Sequence, residues 1–381
     1  MKAPLIVIGS GLAGYTLVKE FRKYNQDRRI IMISQDDGRE YSKPMLSSGF
    51  SKGKDADSLA MNGADTMSKS LKIEIRTFQQ VSAIDTKHKK VFVQESEIEY
   101  SDLVLALGSE PIQLPIEGNE HLMHINDLMD YHEFHKSVQG TKNIVILGAG
   151  LVGCEYAHDL SLAGFNVALV APEEQPLSRL VPKECGETLI PALKDLGVRM
   201  YMGRSAMKIT KVDDLFEVSL DDNTTISADV LLSAVGLRAR TALAKAAGLN
   251  VGTAIEVDRQ LKTSEDNIYA LGDCAEVSGL HLLYVQPLIN CARSLAKTLA
   301  GQNNLIQYPV MPVMVKTPSM PVVTCPPGDL SRGRWSIEGR TPHLKAVFRD
   351  SDDNLIGYAL TGECVSEKRK LSQELLVDWF Q

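Results

Sequence analysis

Nowhere in this chain do two cysteines stand close enough in sequence to form a C-x-x-C pair. The six present (Cys154, Cys185, Cys274, Cys291, Cys325 and Cys364) are scattered. That spacing supports neither a zinc site nor a local dithiol. The thiols read instead as small buried residues in a reducing compartment. The eight histidines form no ligand cluster, so no metal is expected. Apolar runs are strand-length, far short of the roughly 20 residues of a membrane helix, and no membrane insertion is expected. An excess of basic residues is also missing: net charge is -7 and the pI about 5.7. That balance offers no footprint for nucleic acid. The opening MKAPLIVIG starts like a signal peptide, but glycines interrupt it and the charged Lys19–Lys23 run follows. A cytoplasmic protein is therefore expected.

What the chain does have is length and a repeated glycine pattern. At 381 residues it is long enough for two or three domains. Leu5-Ile6-Val7-Ile8 is an apolar run without polar alternation, as in a parallel strand buried on both faces. Gly9, Gly11 and Gly14 then give G-x-G-x-x-G within Gly9-Ser10-Gly11-Leu12-Ala13-Gly14. A helical pattern follows over Tyr15 to Tyr24, with Leu17, Val18 and Phe21 on one face. In a dinucleotide site the first glycine makes the tight turn and the second lets backbone approach a pyrophosphate. The third lets helix and strand pack closely. Free amides and the helix dipole then hold the phosphates.

A second strand, Ile30–Ile33, ends in Ser34-Gln35-Asp36-Asp37. An acidic side chain about 20 residues beyond the glycines usually takes a ribose. Asp36 lies near that spacing, while Ser34 and Gln35 stand where the carboxylate often sits, and both arrangements stay open. The stretch around Lys43-Pro44 reads as loop. Strand patterns follow at Val81–Ile84, Lys90–Ile98 and Leu103–Leu107, the last running into Gly108.

The fingerprint then recurs. Asn143–Leu147 is strand-like, Gly148, Gly150 and Gly153 repeat the motif, and CEYAHDLSLAG is helical. Glu173 lies 20 residues after Gly153, where a ribose-binding acid belongs. An acid rather than an arginine there points to NADH over NADPH. The strand Val230–Val235 runs into Gly236, and IYALGD gives a strand with a helix-like segment opening at Gly272-Asp273. Beyond Gly301, prolines break an alternating pattern and antiparallel strands are expected over Lys345–Phe348 and Leu355–Leu360.

Two fingerprints about 140 residues apart, strands ending at Gly108 and Gly236, and IYALGD form an ordered set. Along essentially its whole length the chain resembles the two-dinucleotide-binding-domain flavoprotein family. The resemblance implies an α/β fold of two Rossmann-like domains, FAD- and NAD-binding, with a small C-terminal α+β domain. The boundaries expected are 1–112 with 245–307 for FAD, 113–244 for NAD, and 308–381 for the last domain.

Disulfide-using members of the family carry a cysteine pair, or one cysteine in S-C-G, after the first ribose-binding strand. Here Tyr41–Phe50 reads YSKPMLSSGF, with Ser47 and Ser48 and no cysteine. A sulfur relay has no atom to work through, which disfavours peroxide or disulfide reduction. The YSKPMLSSGFSK loop, IYALGDCAEV, LLYVQPL and PVMVKTP resemble the rubredoxin-reducing branch, found in bacterial alkane-oxidising systems. That implies an enzyme in which FAD takes a hydride from NADH and passes single electrons to rubredoxin, a small iron–sulfur protein supplying an alkane hydroxylase. A ferredoxin or flavorubredoxin as acceptor, or an NADH-sensing flavoprotein without turnover, are the alternatives.

The resemblance also implies site residues. Asp273 meets the ribityl chain of FAD, Val81 and Val285 offer backbone contacts, and Lys316 lies at the flavin edge. Lys43 and Glu155 are expected to form an ion pair beside the reacting rings. Basic residues of the last domain (Arg332, Arg334, Arg340, Lys345, Arg349 and Lys368-Arg369-Lys370) are docking candidates for an acidic rubredoxin. With no dimer-forming helix evident in the tail, a monomer is expected.

Overall fold

The computed structural model describes residues 3–375 and 379–380. The first apolar run forms strand β1 (Leu5–Ile8), all four residues buried. It pairs in parallel with Ile30–Ile33 on one side and Asp102–Leu105 on the other. The five-stranded sheet runs Ile268–Ala270, Asp102–Leu105, β1, Ile30–Ile33, Glu74–Arg76. One edge strand thus comes from far along the chain. Helix α1 (Leu12–Arg22) begins three residues before the periodicity predicts, because Gly11 is its N-cap. It packs Leu17, Val18 and Phe21 into the core without exposure.

The second fingerprint repeats this order. Strand β2 (Asn143–Leu147) is followed by helix α2 (Leu151–Leu162). β2 lies between Asn166–Ala171 and Val230–Ser233 in a four-stranded parallel sheet. Each Rossmann-like unit carries a three-stranded antiparallel sheet: residues 81–99 in the first, 206–228 in the second. The strands of the latter alternate buried residues such as Ile209, Val218 and Ile226 with exposed or half-buried ones, so no continuous apolar run marks them.

One expected helix is absent. After Gly272 the chain makes a single 3₁₀ turn, Gly272–Cys274, then a strand, Ala275–Val277. Ala275–Val277 pairs in parallel with Ile255–Val257, and that pairing overrides the local pattern. The helix comes later, at Val285–Leu299. The Tyr41–Phe50 loop is itself coiled into 3₁₀ turns over Lys43–Ser48 and Phe50–Lys52.

The last domain is a five-stranded antiparallel sheet. Its order starts at β3 (Val313–Val315), runs through Val322–Cys325, Leu355–Thr361 and His343–Asp350, and ends at β4 (Gly333–Arg340). With a short helix, Lys368–Glu374, it is the α+β unit expected. Among the described residues no helix is long and apolar enough to cross a membrane.

Candidate functional site

The carboxyl ends of β1 and β2 open on one continuous cleft of about 1820 Å³. A pocket for one drug-sized ligand holds roughly 300–1,000 Å³, so there is room here for two extended nucleotides. Ser10, Gly11, Leu12 and Ala13 line one end, and Gly148, Gly150 and Glu173 another. Ser34, Gln35, Lys43, Val81, Asp273, Val285 and Lys316 line the cleft between or beside them.

Both fingerprints have the backbone that the motif requires. Gly9 has φ +114°, and a Cβ there would lie 2.2 Å from the carbonyl oxygen of Ala106. Gly14 and Gly153 sit behind the cleft, where a Cβ would meet the carbonyl oxygens of Gly9 and Gly148 at 2.0 and 1.9 Å. Gly11 and Gly150 differ: nothing lies within 4 Å of a Cβ on either, so the space before them is free for a ligand. Neither α1 nor α2 has a capping side chain or an acid in its first turn. Their first N–H groups are therefore available to an anion, reinforced by the helix dipole. The cradles fit one dinucleotide each. At the second, the buried Ser233 hydroxyl lines the cleft without a partner among the described residues.

After Ile30–Ile33, Ser34 and Asp36 are bonded to each other rather than standing free. The Asp36 carboxylate accepts from Ser10 Oγ at 2.8 Å, Ser34 Oγ at 2.5 Å and the Gly38 N–H at 2.9 Å. It braces the turn, and Gln35 is left exposed at the cleft wall.

The centre of the cleft corrects one expectation. Lys43 does not pair with Glu155. From the 3₁₀ turn, Lys43 Nζ donates to Asn126 Oδ1 at 2.8 Å and lies 3.5 Å from Asp273 Oδ2. Asp273 also accepts from Ser109 Oγ at 2.8 Å. Glu155, only 3% exposed, is taken by Lys316: the Lys316 backbone N–H donates to Oε1 at 3.0 Å, and Nζ forms an ion pair with Oε2. Ser47 Oγ donates to the same Oε2 at 2.6 Å while accepting from Lys316 Nζ at 2.7 Å. Ser47, Glu155 and Lys316 belong to the first, second and last units, so one carboxylate joins all three.

A turn further along α2, Asp159 accepts from the backbone N–H groups of Phe50 at 2.8 Å and Ser51 at 3.2 Å, and from Ser51 Oγ. Sequence reasoning missed Asp159, Asn126 and the bridging role of Ser47. The available signal was on α2 itself, an otherwise buried helix carrying Glu155, His158 and Asp159 at i, i+3 and i+4.

No thiol faces this chemistry. Burial pushes the thiols of Cys274, Cys291 and Cys325 up to about 11 and that of Cys185 up to about 12. Cys154 is pushed up as well, and Cys364 alone is partly exposed. Thiolate is the reactive form, so N-ethylmaleimide at pH 7 is expected to leave NADH oxidation by the native protein unchanged. Activity falling in step with the modification of one cysteine, followed by mass spectrometry, would contradict this.

Most of the basic docking candidates lie away from the cleft. Arg334 and Arg340 are on β4, four strands from β3, which is about 19 Å at the usual interstrand spacing. Lys345 lies 3.4 Å from both Glu338 and Glu367, and Arg349 is 2.7 Å from Glu374. Lys368 is the exception, its Nζ 3.6 Å from Sδ of Met314, which is 60% exposed on β3 at the cleft mouth.

Comparison with known proteins matches this architecture in two parts. Residues 3–296 match the family described as pyridine nucleotide-disulphide oxidoreductase, and residues 305–375 a rubredoxin binding C-terminal domain. The chain is 47% identical over 98% of both lengths to rubredoxin-NAD(+) reductase of Alcanivorax borkumensis. It is 34% identical, again over 98% of both, to nitric oxide reductase FlRd-NAD(+) reductase of Vibrio vulnificus. Among solved structures, a ferredoxin reductase for the CYP199A2 system from Rhodopseudomonas palustris superposes with a TM-score of 0.88 at 24% identity. That superposition covers 100% of this chain and 98% of that one, and it speaks to the fold.

Proposed function

The chain belongs to the pyridine nucleotide-disulphide oxidoreductase family, and from that premise we propose that it is an NADH:rubredoxin oxidoreductase with FAD as its cofactor. The observation that carries this reading is the sulfur-free centre of a two-nucleotide cleft. Ser47 stands in the loop where disulfide-using relatives place cysteine, and it is tied to the Glu155 carboxylate. Identity to a rubredoxin-NAD(+) reductase along the whole chain, and the matched C-terminal domain, support rubredoxin as the acceptor.

The discontinuous first unit, 1–112 with 245–307, holds FAD in this reading, and 113–244 holds NADH. The amino end of α1 takes the FAD pyrophosphate, and Asp273, oriented by Ser109 and Lys43, accepts from a ribityl hydroxyl. The amino end of α2 and Glu173 take the phosphates and ribose of NADH. Bound FAD supplies the exchange between a two-electron donor and a one-electron acceptor. The chain's own work is to hold both nucleotides in one cleft and keep Lys43 and Lys316 as cations along it. Rubredoxin docks on the β3 side, over Met314 and Lys368, rather than on β4. We place the protein as a cytoplasmic monomer whose rubredoxin feeds an alkane hydroxylase; the 34% identity to a flavorubredoxin-linked relative keeps that carrier as the alternative acceptor.

Anaerobic stopped-flow absorption tests the reading. NADH is expected to bleach the bound flavin bands, and oxidised rubredoxin to restore them, more slowly as salt is added. Reduced protein that reoxidises with flavorubredoxin or ferredoxin but not with rubredoxin would replace the acceptor. Bands untouched by NADH would remove the function.

A further inference from the structure

Glu155, His158 and Asp159 are buried on α2, at 3%, 3% and 4% exposure, and nothing above uses His158. We propose that His158 is a positioning residue that holds the C-terminal domain, through Ser319, in register over the cleft for rubredoxin reduction. This inference rests on the reading above.

The geometry is a two-point grip. Glu155 and His158 are three residues apart, hence on one face of α2. Their partners Lys316 and Ser319 are also three apart, in the segment that leaves β3. The Ser319 N–H donates to His158 Nε2 at 3.3 Å, which makes that nitrogen the acceptor and leaves the ring proton on Nδ1. Ser319 Oγ lies 2.6 Å from the same nitrogen. Burial lowers the His158 pKa below its ordinary value and keeps the ring in this neutral form.

The gripped segment is itself stiff. Thr317 Oγ1 donates to the Met320 carbonyl at 2.8 Å, and the Met320 N–H to the Thr317 carbonyl at 2.9 Å. The last domain already shares a core with the second unit through Val315, Met320 and Val322, and Thr324 Oγ1 donates to the Leu180 carbonyl at 2.9 Å. The His158–Ser319 contact adds a fixed point one helical turn from Glu155, on the segment that leaves β3 at the cleft. Both bonds cross from the matched segment 3–296 to the matched segment 305–375. A buried imidazole nitrogen is costly without a partner, and Ser319 supplies the partners of Nε2.

The test compares two acceptors, rubredoxin and ferricyanide, in flavin-loaded enzyme. Ser319 is exposed, so Ser319→Ala does not threaten folding. Ser319→Ala and His158→Leu are expected to raise KM for rubredoxin about ten-fold while NADH oxidation with ferricyanide stays within about two-fold. His158→Gln, which keeps an acceptor near Nε2, should stay within about two-fold for both acceptors. The double variant should be no worse than the poorer single one, because the pair acts as a unit. Equal losses with both acceptors, or an unchanged rubredoxin KM in Ser319→Ala, would overturn the inference. A wild-type enzyme that reduces ferricyanide but not rubredoxin would overturn the reading beneath it, and the inference with it.

Discussion

A Gly14→Ala chain is expected to purify colourless and with NADH oxidation at least about a hundred-fold down. The added Cβ would sit 2.0 Å from the Gly9 carbonyl oxygen, a backbone atom that no rotamer change can move aside. Relief requires α1 to lift from β1. That would disturb a helix whose Leu17, Val18 and Phe21 are fully buried, with each large apolar side chain worth about 1.5–3 kcal/mol of burial. It would also displace the N–H groups that the proposed reading assigns to the FAD pyrophosphate. Gly11→Ala is the informative contrast. Its φ of -62° suits alanine, and no protein atom lies within 4 Å of the new Cβ. That chain should fold with wild-type circular dichroism and melting temperature yet lose flavin, because the methyl group occupies ligand space. If Gly14→Ala retains a full complement of FAD by absorbance, or Gly11→Ala binds it as tightly as wild type, the assignment of the first cradle is wrong.

Glu155→Leu should cost about 2 kcal/mol of stability, since it leaves the Lys316 ammonium, half-buried at the cleft wall, without its counter-charge. It also leaves the Lys316 N–H and the Ser47 hydroxyl without their acceptor. Turnover with rubredoxin should fall on the order of a hundred-fold, the scale for misplacing reacting groups by about an ångström. Combining the change with Lys316→Met removes the stranded charge, so the double variant is expected to be more stable than Glu155→Leu alone. The two effects separate in one set of urea titrations and initial rates. A double variant less stable than the single one would mean that the ion pair is not what Glu155 provides. The cost of Glu155→Leu should be the same in a Lys43→Met background, because Lys43 is bonded to Asn126 and Asp273 instead.

What could be read in advance depended on how local its cause was. β1 and β2 were legible because burial on both faces writes an unbroken apolar run, and because the following turn admits only glycine at Gly9. Asp273 and Glu173 were legible as positions in a motif. The partners of Glu155 were not. Lys316 lies 161 residues away and Ser47 lies 108 away, and two cations were equally suitable on charge alone. The coiling of Lys43–Ser48 decided between them, turning Ser47 rather than Lys43 onto the Glu155 carboxylate. The strand after Gly272 was hidden for the same reason: Ala275–Val277 is extended only because Ile255–Val257 lies beside it. The missing cysteine pointed to Ser47 as an absence, yet gave no sign that its hydroxyl would tie the carboxylate in place.

The strand Ile268–Ala270 closes the first sheet against Asp102–Leu105. During synthesis on the ribosome, Asp102–Leu105 therefore emerges with one edge bare and stays so while the whole second unit is made. The second unit is continuous in sequence and can complete its own sheet first. If Asp273 holds the flavin as proposed, flavin capture waits longer still, because Asp273 follows directly on the closing strand. A nascent chain halted after residue 244 would display a finished nicotinamide half beside an open-edged flavin half, the form most exposed to edge-to-edge association.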